Sequence, residues 1–592
     1  MNGPPGNTRT RGHDRAHQGR MQPGRALMRL PRLGHLPRPG LPLLTIGAIM
    51  LVCFVYPLAR FLALPVHPAL APLATLGAMQ GSSGLSLTAM WNTARMSTEA
   101  ALLVIPPGLA AGYLIERRLW RGRRVLALAL WGVLLMPSYL LTMGWQILMA
   151  APMLDGGVLN RLFYGEAGIV FLLTVKGLPF AALTARAGWQ TIGEDMQAAF
   201  RVHVVSPWRR SRLVLRLMLP VAAGIFLVQV LAASQDFGIA ATLGAQAHLP
   251  LVIYAIYQDL SSVPVNFVHA ALLSWSLVAL ALAALGAQAW FCRRSYTTLH
   301  GRQRRVAPRP CGPGLAIAAW LLVGVILAAG VVAPVLALGM QGLGQGIGQG
   351  IGQRIGETGG GGATEMLHAL DAEDWRAILL SLRYSFVSAV FVVLLAAILL
   401  GGRWHGERGG RAMARLMAWL TVGNMAVPGV ILGAAYVIGF NGTMLPLYGT
   451  PALLIIAYVA SHLPIAIRFL DVPFSRLHRS LGEAARVHGM PAPGRVERIY
   501  APLLLQPLVW AWGMVFVTLF FELPLSEILY PAGSAPLGVR LLSLDDTLHY
   551  GAESRLALAA ILVCLALAGG VMALCPRLLR SGPSPILSAT EH

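Results

Sequence analysis

Apolar stretches of about 20 residues recur along most of the chain, and each is as long as an α-helix must be to cross a bilayer. Twelve can be placed, at about 41–64, 94–115, 125–150, 167–185, 217–240, 266–291, 314–339, 379–402, 412–440, 452–470, 502–521 and 555–575. A helix satisfies its own backbone hydrogen bonds, which lipid cannot do for it. The pattern therefore predicts an all-α membrane protein of twelve transmembrane helices. Composition agrees: of 592 residues, 56% are hydrophobic and only 12% charged, with a mean hydropathy of +0.64. A soluble chain of this size carries about a quarter of its residues charged.

The charges that remain are unevenly placed. Lys and Arg number 46 against 24 Asp and Glu, a formal net charge of +22. With the N-terminus inside, 37 of the basic residues fall in cytoplasmic segments and five in external loops, the asymmetry that sets membrane orientation. Both termini are then expected in the cytoplasm. Basic loops near anionic headgroups account for the net charge, so nucleic acid is not an expected partner; the lipid bilayer is.

Lys176 is the only lysine, and it is followed by Gly177 inside an apolar run. A Walker A loop needs lysine followed by Ser or Thr, so the chain cannot be its own P-loop ATPase. The five cysteines (Cys53, Cys292, Cys311, Cys564, Cys575) never form CxxC, and no metal-ligand spacing occurs. No cofactor or resident metal is expected, and the chain reads as a transport subunit rather than an enzyme.

The chain also repeats itself. Leu178-Pro179 and Leu463-Pro464 lie 285 residues apart, as do Arg201-Val202-His203 and Arg486-Val487-His488; Arg95-x-Ser97 matches Arg383-x-Ser385, and Pro137 matches Pro428. Two tandem homologous halves with an even number of spans have the same orientation. The expected division is a basic disordered cytoplasmic arm (1–40), a first six-helix permease domain (41–292), a cytoplasmic linker (293–313), a second six-helix domain (314–576) with a Gly-rich external insertion (339–362), and a cytoplasmic tail (577–592). The arm shows no signal-peptide cleavage site.

The loop between the fourth and fifth spans of the second half reads Glu483-Ala484-Ala485-Arg486-Val487-His488-Gly489 and continues to Ile499-Tyr500-Ala501-Pro502. Glu-Ala-Ala favours helix with small side chains, allowing close approach by a partner, and Gly489 permits the left-handed residue that ends it. This resembles the EAA loop, EAAxxxG followed by IxxP, of binding-protein-dependent ABC transporter permeases. The first-half copy has Ala198-Ala199-Phe200 for Glu-Ala-Ala and Val204 for the glycine, but keeps Arg201, His203 and Ser206-Pro207-Trp208. The alternative, two merely basic juxtamembrane helices, does not explain matches at equivalent positions.

Further segments, Met136-Pro137-Ser138-Tyr139, Asp236-Phe237-Gly238, Glu522-Leu523-Pro524, Leu529-Tyr530-Pro531 and Leu537-Gly538-Val539, resemble fused ferric-iron permeases. The resemblance implies an inner-membrane permease subunit with Fe(III) as cargo, two ABC ATPase subunits forming a homodimer, and a periplasmic substrate-binding protein. The two loops would dock into the ATPases and pass their closure to the helices. Fused permeases for thiamine and 2-aminoethylphosphonate share the plan. An ion-coupled carrier of two six-helix halves is the rival outside the family, and against it this chain shows no paired charges deep in its spans for a proton relay. Asp236, Glu522 and Glu527 fall at the external ends of the fifth and eleventh spans. Carboxylates there suit a hard cation at a translocation mouth, or else they cap helices or bind the docked partner.

Overall fold

A computed structural model describes residues 51–66, 83–203, 206–295, 307–342, 370–401, 423, 427–441, 446–477 and 479–579. The basic arm, most of the Gly-rich insertion, Val204 and part of the ninth span lie outside these residues. What is described is almost wholly helical, the single ladder being a parallel pairing of Arg118–Leu119 with Arg309–Pro310.

Among the described residues nine helices are long and apolar enough to cross a membrane, and a bent pair brings the number to ten. In chain order the helices are α1 (Tyr56–Ala63), α2 (Ser83–Arg117), α3 (Arg123–Leu135), α4 (Ser138–Met149), α5 (Val158–Phe163), α6 (Glu166–Gln190), α7 (Glu194–His203), α8 (Pro207–Ser234), α9 (Phe237–Ile239), α10 (Val252–Ser261) and α11 (Phe267–Ser295). The order continues with α12 (Pro313–Leu327), α13 (Ala333–Gly342), α14 (Ala372–Gly401), α15 (Gly429–Phe440), α16 (Pro451–Ser475), α17 (Arg479–Val487), α18 (Ala492–Arg495), α19 (Ala501–Phe520), α20 (Pro524–Leu529), α21 (Leu537–Asp546) and α22 (Tyr550–Leu579). Of the expected first and ninth spans, the described parts are the short apolar helices Val52–Ala63 and Gly429–Phe440.

The expected third span, 125–150, is two helices meeting at 98°. Met136 ends α3 by donating its N–H to Gly132, and Pro137, extended at ψ 144°, offers no N–H to carry the ladder onward. Pro428 stands in the same way ahead of α15, at ψ 149°. Pro179 and Pro464 break nothing: α6 and α16 run straight through them, as helices packed on neighbours can.

Packing follows small residues. A Cβ on Gly108 would come within 2.5 Å of Ala181 Cβ, and one on Gly112 within 2.8 Å of Ala185 Cβ, so α2 and α6 touch nearly backbone to backbone. The same pattern of contact appears twice. In the first part of the chain α2, α6 and α8 pack on one another; in the second, α14, α16 and α19 do. Thr93 on α2 accepts the Val252 N–H that opens α10 at 3.0 Å, and Ser381 on α14 accepts the Leu537 N–H that opens α21 at 2.7 Å.

The first helix of each part packs on the other part. Helix α1 lies on α15 and α13 lies on α4. Each crossing is a proline seated on a glycine: a Cβ on Gly144 would approach Pro334 Cα to 2.5 Å, and one on Gly439 would approach Pro57 Cβ to 2.9 Å.

Candidate coupling and translocation site

The two expected coupling segments are helices, α7 and α17, each joining the end of one long helix to the start of the next. In α17 Gly482 and Ala485 face inward. A Cβ on Gly482 would meet the Tyr500 hydroxyl at 2.3 Å, so the missing side chain at 482 leaves room for the end of the Tyr500 ring from the helical segment leading into α19. Glu483, Ala484, Arg486, His488 and Gly489 are exposed on the outer face.

Gly489 closes the helix at φ +71°. Its N–H bonds Arg486 O at 2.9 Å and the Met490 N–H bonds Ala485 O at 2.9 Å. This is the paired closure of the Schellman motif, which satisfies carbonyls the helix end leaves free. In the first copy α7 ends at His203, with Ala198, Ala199 and His203 exposed, and Arg201 lies within it. Ser206 is the residue before α8, Pro207 takes its first position, where a missing N–H costs nothing, and Trp208 is 76% exposed. The helix into the membrane therefore starts ten residues earlier than its apolar run suggests.

The carboxylates at the opposite ends of α8 and α19 occupy matching places. Helix α8 stops at Ser234, and Asp236 then caps α9 by accepting the Ile239 N–H at 3.0 Å. Helix α19 stops at Phe520, and Glu522 caps α20, accepting from Leu525 N at 2.9 Å and from Ser526 N and Oγ at 3.0 and 2.9 Å. Both side chains thus cap the short helices that follow them. Lys176 acts electrostatically on Asp236 while donating to Met136 O.

Glu527, on α20, reaches across to the first part of the chain. Its Oε1 accepts from the Tyr257 hydroxyl of α10 at 3.1 Å, and its Oε2 is buried without a hydrogen-bond partner. Burial pushes this carboxyl up to about 7, opposed by the Tyr257 hydroxyl and helped by the Asp546 charge. The three carboxylates thus all lie at the end of the bundle away from α7 and α17, two as caps and one as a bond between the repeats.

Sequence reasoning missed the acidic groups beside them. Asp545, at the end of α21, and Glu553, in the first turn of α22, are 8% and 1% exposed. They line a cavity of about 250 Å³ with Gln146, Gln246 and Gln341. Glu553 sits just ahead of an apolar run, a signal that could have marked it; the glutamines come from three distant segments and carry no shared pattern. Among the described residues no three His, Cys, Asp or Glu side chains form a metal-holding group.

No family model matches the chain. It is 31% identical over 141 residues to a protein of Sinorhizobium fredii named as an ABC transporter permease, y4fN, covering 22% of this chain and 25% of that one. It is 23% identical over 366 residues to the ferric transport system permease protein FbpB of Actinobacillus pleuropneumoniae, 60% of this chain and 51% of that one. With a Salmonella paratyphi A protein named as PhnV, a permease of a 2-aminoethylphosphonate transport system, it shares 24% over 204 residues, 34% of this chain and 75% of that one. The chain thus spans a quarter to half of the first two relatives' length.

Proposed function

We propose that this chain, a multi-pass protein of the bacterial inner membrane whose curated relatives are ABC transporter permeases, is the membrane-spanning subunit of a binding-protein-dependent importer. The observation that carries the reading is α17: an exposed Glu-Ala-Ala helix, held close to the membrane helices through Gly482 and closed by a left-handed Gly489. In this reading Glu483, Ala484, Arg486, His488 and Gly489 dock into one ATPase subunit, while Ala485, expected on the docking face, is buried on the inner face of the helix. Ala198, Ala199, Arg201, His203, Ser206, Pro207 and Trp208 dock into its twin, the two ATPases being a homodimer.

The molecule is then twelve spans with both termini cytoplasmic, divided into permease domains 41–292 and 314–576 by the linker 293–313. The repeated helix contacts and the paired Thr93 and Ser381 bonds support that division. ATP-driven closure of the ATPases moves α7 and α17, and the seam between the halves opens alternately to each side. A periplasmic binding protein delivers the cargo past Asp236, Glu522 and Glu527. Fe(III) is the cargo proposed, supported by the long match to FbpB; 2-aminoethylphosphonate is the second reading, supported by the match to PhnV.

Co-expression with ABC ATPase subunits and a periplasmic binding protein tests both levels. The permease alone should hydrolyse no ATP and should purify with a pair of ATPases when these are supplied; an ion-coupled carrier would bring down none. Uptake of labelled iron, but not of labelled 2-aminoethylphosphonate, is the expected cargo result, and the reverse would move the chain to the phosphonate branch.

A further inference from the structure

The cavity lined by Asp545 and Glu553 has a chemistry that neither capping nor coupling uses. Its walls come from both repeats: Gln146 on α4 and Gln246 beyond α9 on one side, and Gln341 on α13, Asp545 on α21 and Glu553 and Tyr550 on α22 on the other. It is a partly open pocket of about 250 Å³, room for several waters or a small hydrated ion. Glu553 lines it, with both carboxylate oxygens buried and without a hydrogen-bond partner, and Asp545 is almost as deeply buried. No ion pair among the described residues engages either acid. Arg555, two residues beyond Glu553, projects from the far side of the helix, since two positions on a helix are about 200° apart.

Two buried carboxylates without a counter-charge are costly, and the cost is relieved either by a proton on each or by a cation held between them, the two cases that the experiment below separates. The remaining donors are amide and phenol oxygens, which suit a hard metal ion or a protonated amine. We propose that the seam between the two repeats holds a cation-binding cavity in which Glu553 and Asp545 are the charged ligands and Gln146, Gln246 and Gln341 the neutral ones. With two carboxylates rather than three or more, it grips weakly enough to release what it takes up, as a passage site must. The site stands apart from the identity of the cargo, because it is defined by binding to the isolated permease without ATPases.

The test uses the full-length permease in lipid nanodiscs with Tb³⁺ as the hard-cation probe, its luminescence sensitised by Tyr164 and Tyr550 of the cavity wall. Saturable binding is expected, weakened about tenfold or more in Glu553→Gln and, separately, in Asp545→Asn, because affinity at oxygen sites follows ligand charge. Glu497→Gln, an exposed acid at the other end of the molecule, should change nothing. Ethylammonium added as competitor separates the sources: displacement of Tb³⁺ assigns the cavity to amines as well as metal ions, and failure to displace assigns it to metal ions. The Glu553→Gln change keeps shape and removes a buried acid, so the variant should fold, and Asp545→Asn is an independent arm. No saturable Tb³⁺ signal, or the same signal in both variants, would overturn the proposal and leave the two acids as protonated wall residues.

Discussion

Glu522 and Asp236 show how much a single acid can be asked to do at a helix break. Each follows the last turn of a long helix and each accepts from backbone N–H groups of the short helix after it, satisfying donors that the helix start leaves free. Glu527 differs, with one oxygen on Tyr257 and the other unpartnered. Its carboxyl is raised from 4.5 to about 7 by burial. A raised acid favours the folded state while protonated, and that stability is lost as pH rises from about 4.5 through 7. The melting temperature of the purified permease should therefore fall across this window, and Glu527→Gln should flatten the fall. An unchanged slope in the variant would show that Glu527 is not the group responsible.

At the scale of elements, the two coupling helices are unequal. Helix α17 has a glycine at the position that must turn left-handed, where other residues pay about 1–2 kcal/mol, and a glycine where it meets Tyr500. In α7 the matching segment ends without a glycine. Glu483→Lys and Gly489→Trp should abolish transport while leaving membrane insertion intact, the first by reversing charge on the exposed face and the second by blocking both the turn and the docking surface. Ala198→Lys and Val204→Trp should cost less. Transport assays in which the first-half changes proved the more damaging would reverse this ranking.

Across the whole molecule, the exchange of first helices locks the repeats together. Helix α13 crosses α4 at Gly144 and Pro334, and α1 crosses α15 at Gly439 and Pro57. The first crossing is the tighter, with a Cβ on Gly144 meeting the backbone of Pro334 at 2.5 and 2.7 Å, whereas one on Gly439 meets mainly the Pro57 ring from 2.9 Å. Overpacking of this kind costs about 1–3 kcal/mol. Gly144→Ala should thus lower the melting temperature in detergent more than Gly439→Ala, and both more than Gly224→Ala, where nothing lies near. Equal melting temperatures for all three would mean that the crossings yield without strain.

The sequence by itself determined the lipid-facing, all-helical character, because apolar run length and hydropathy report the solvent directly. It also marked the EAA-type loop and the left-handed turn at Gly489, since local backbone demands are written in local residues. The span limits were legible only to within several residues: helix α8 begins with a basic stretch at 207–216, nearly three turns, that no apolar run announces, and Pro137 converts one run into two helices at 98°. What the tertiary structure decided is which groups meet. Tyr257 and Glu527 are 270 residues apart, and the cavity of Gln146, Gln246, Asp545 and Glu553 draws on four separate segments. Such meetings depend on how helices cross, which follows from the shapes of packed faces and from the exchange of α1 and α13, not from any periodicity along the chain.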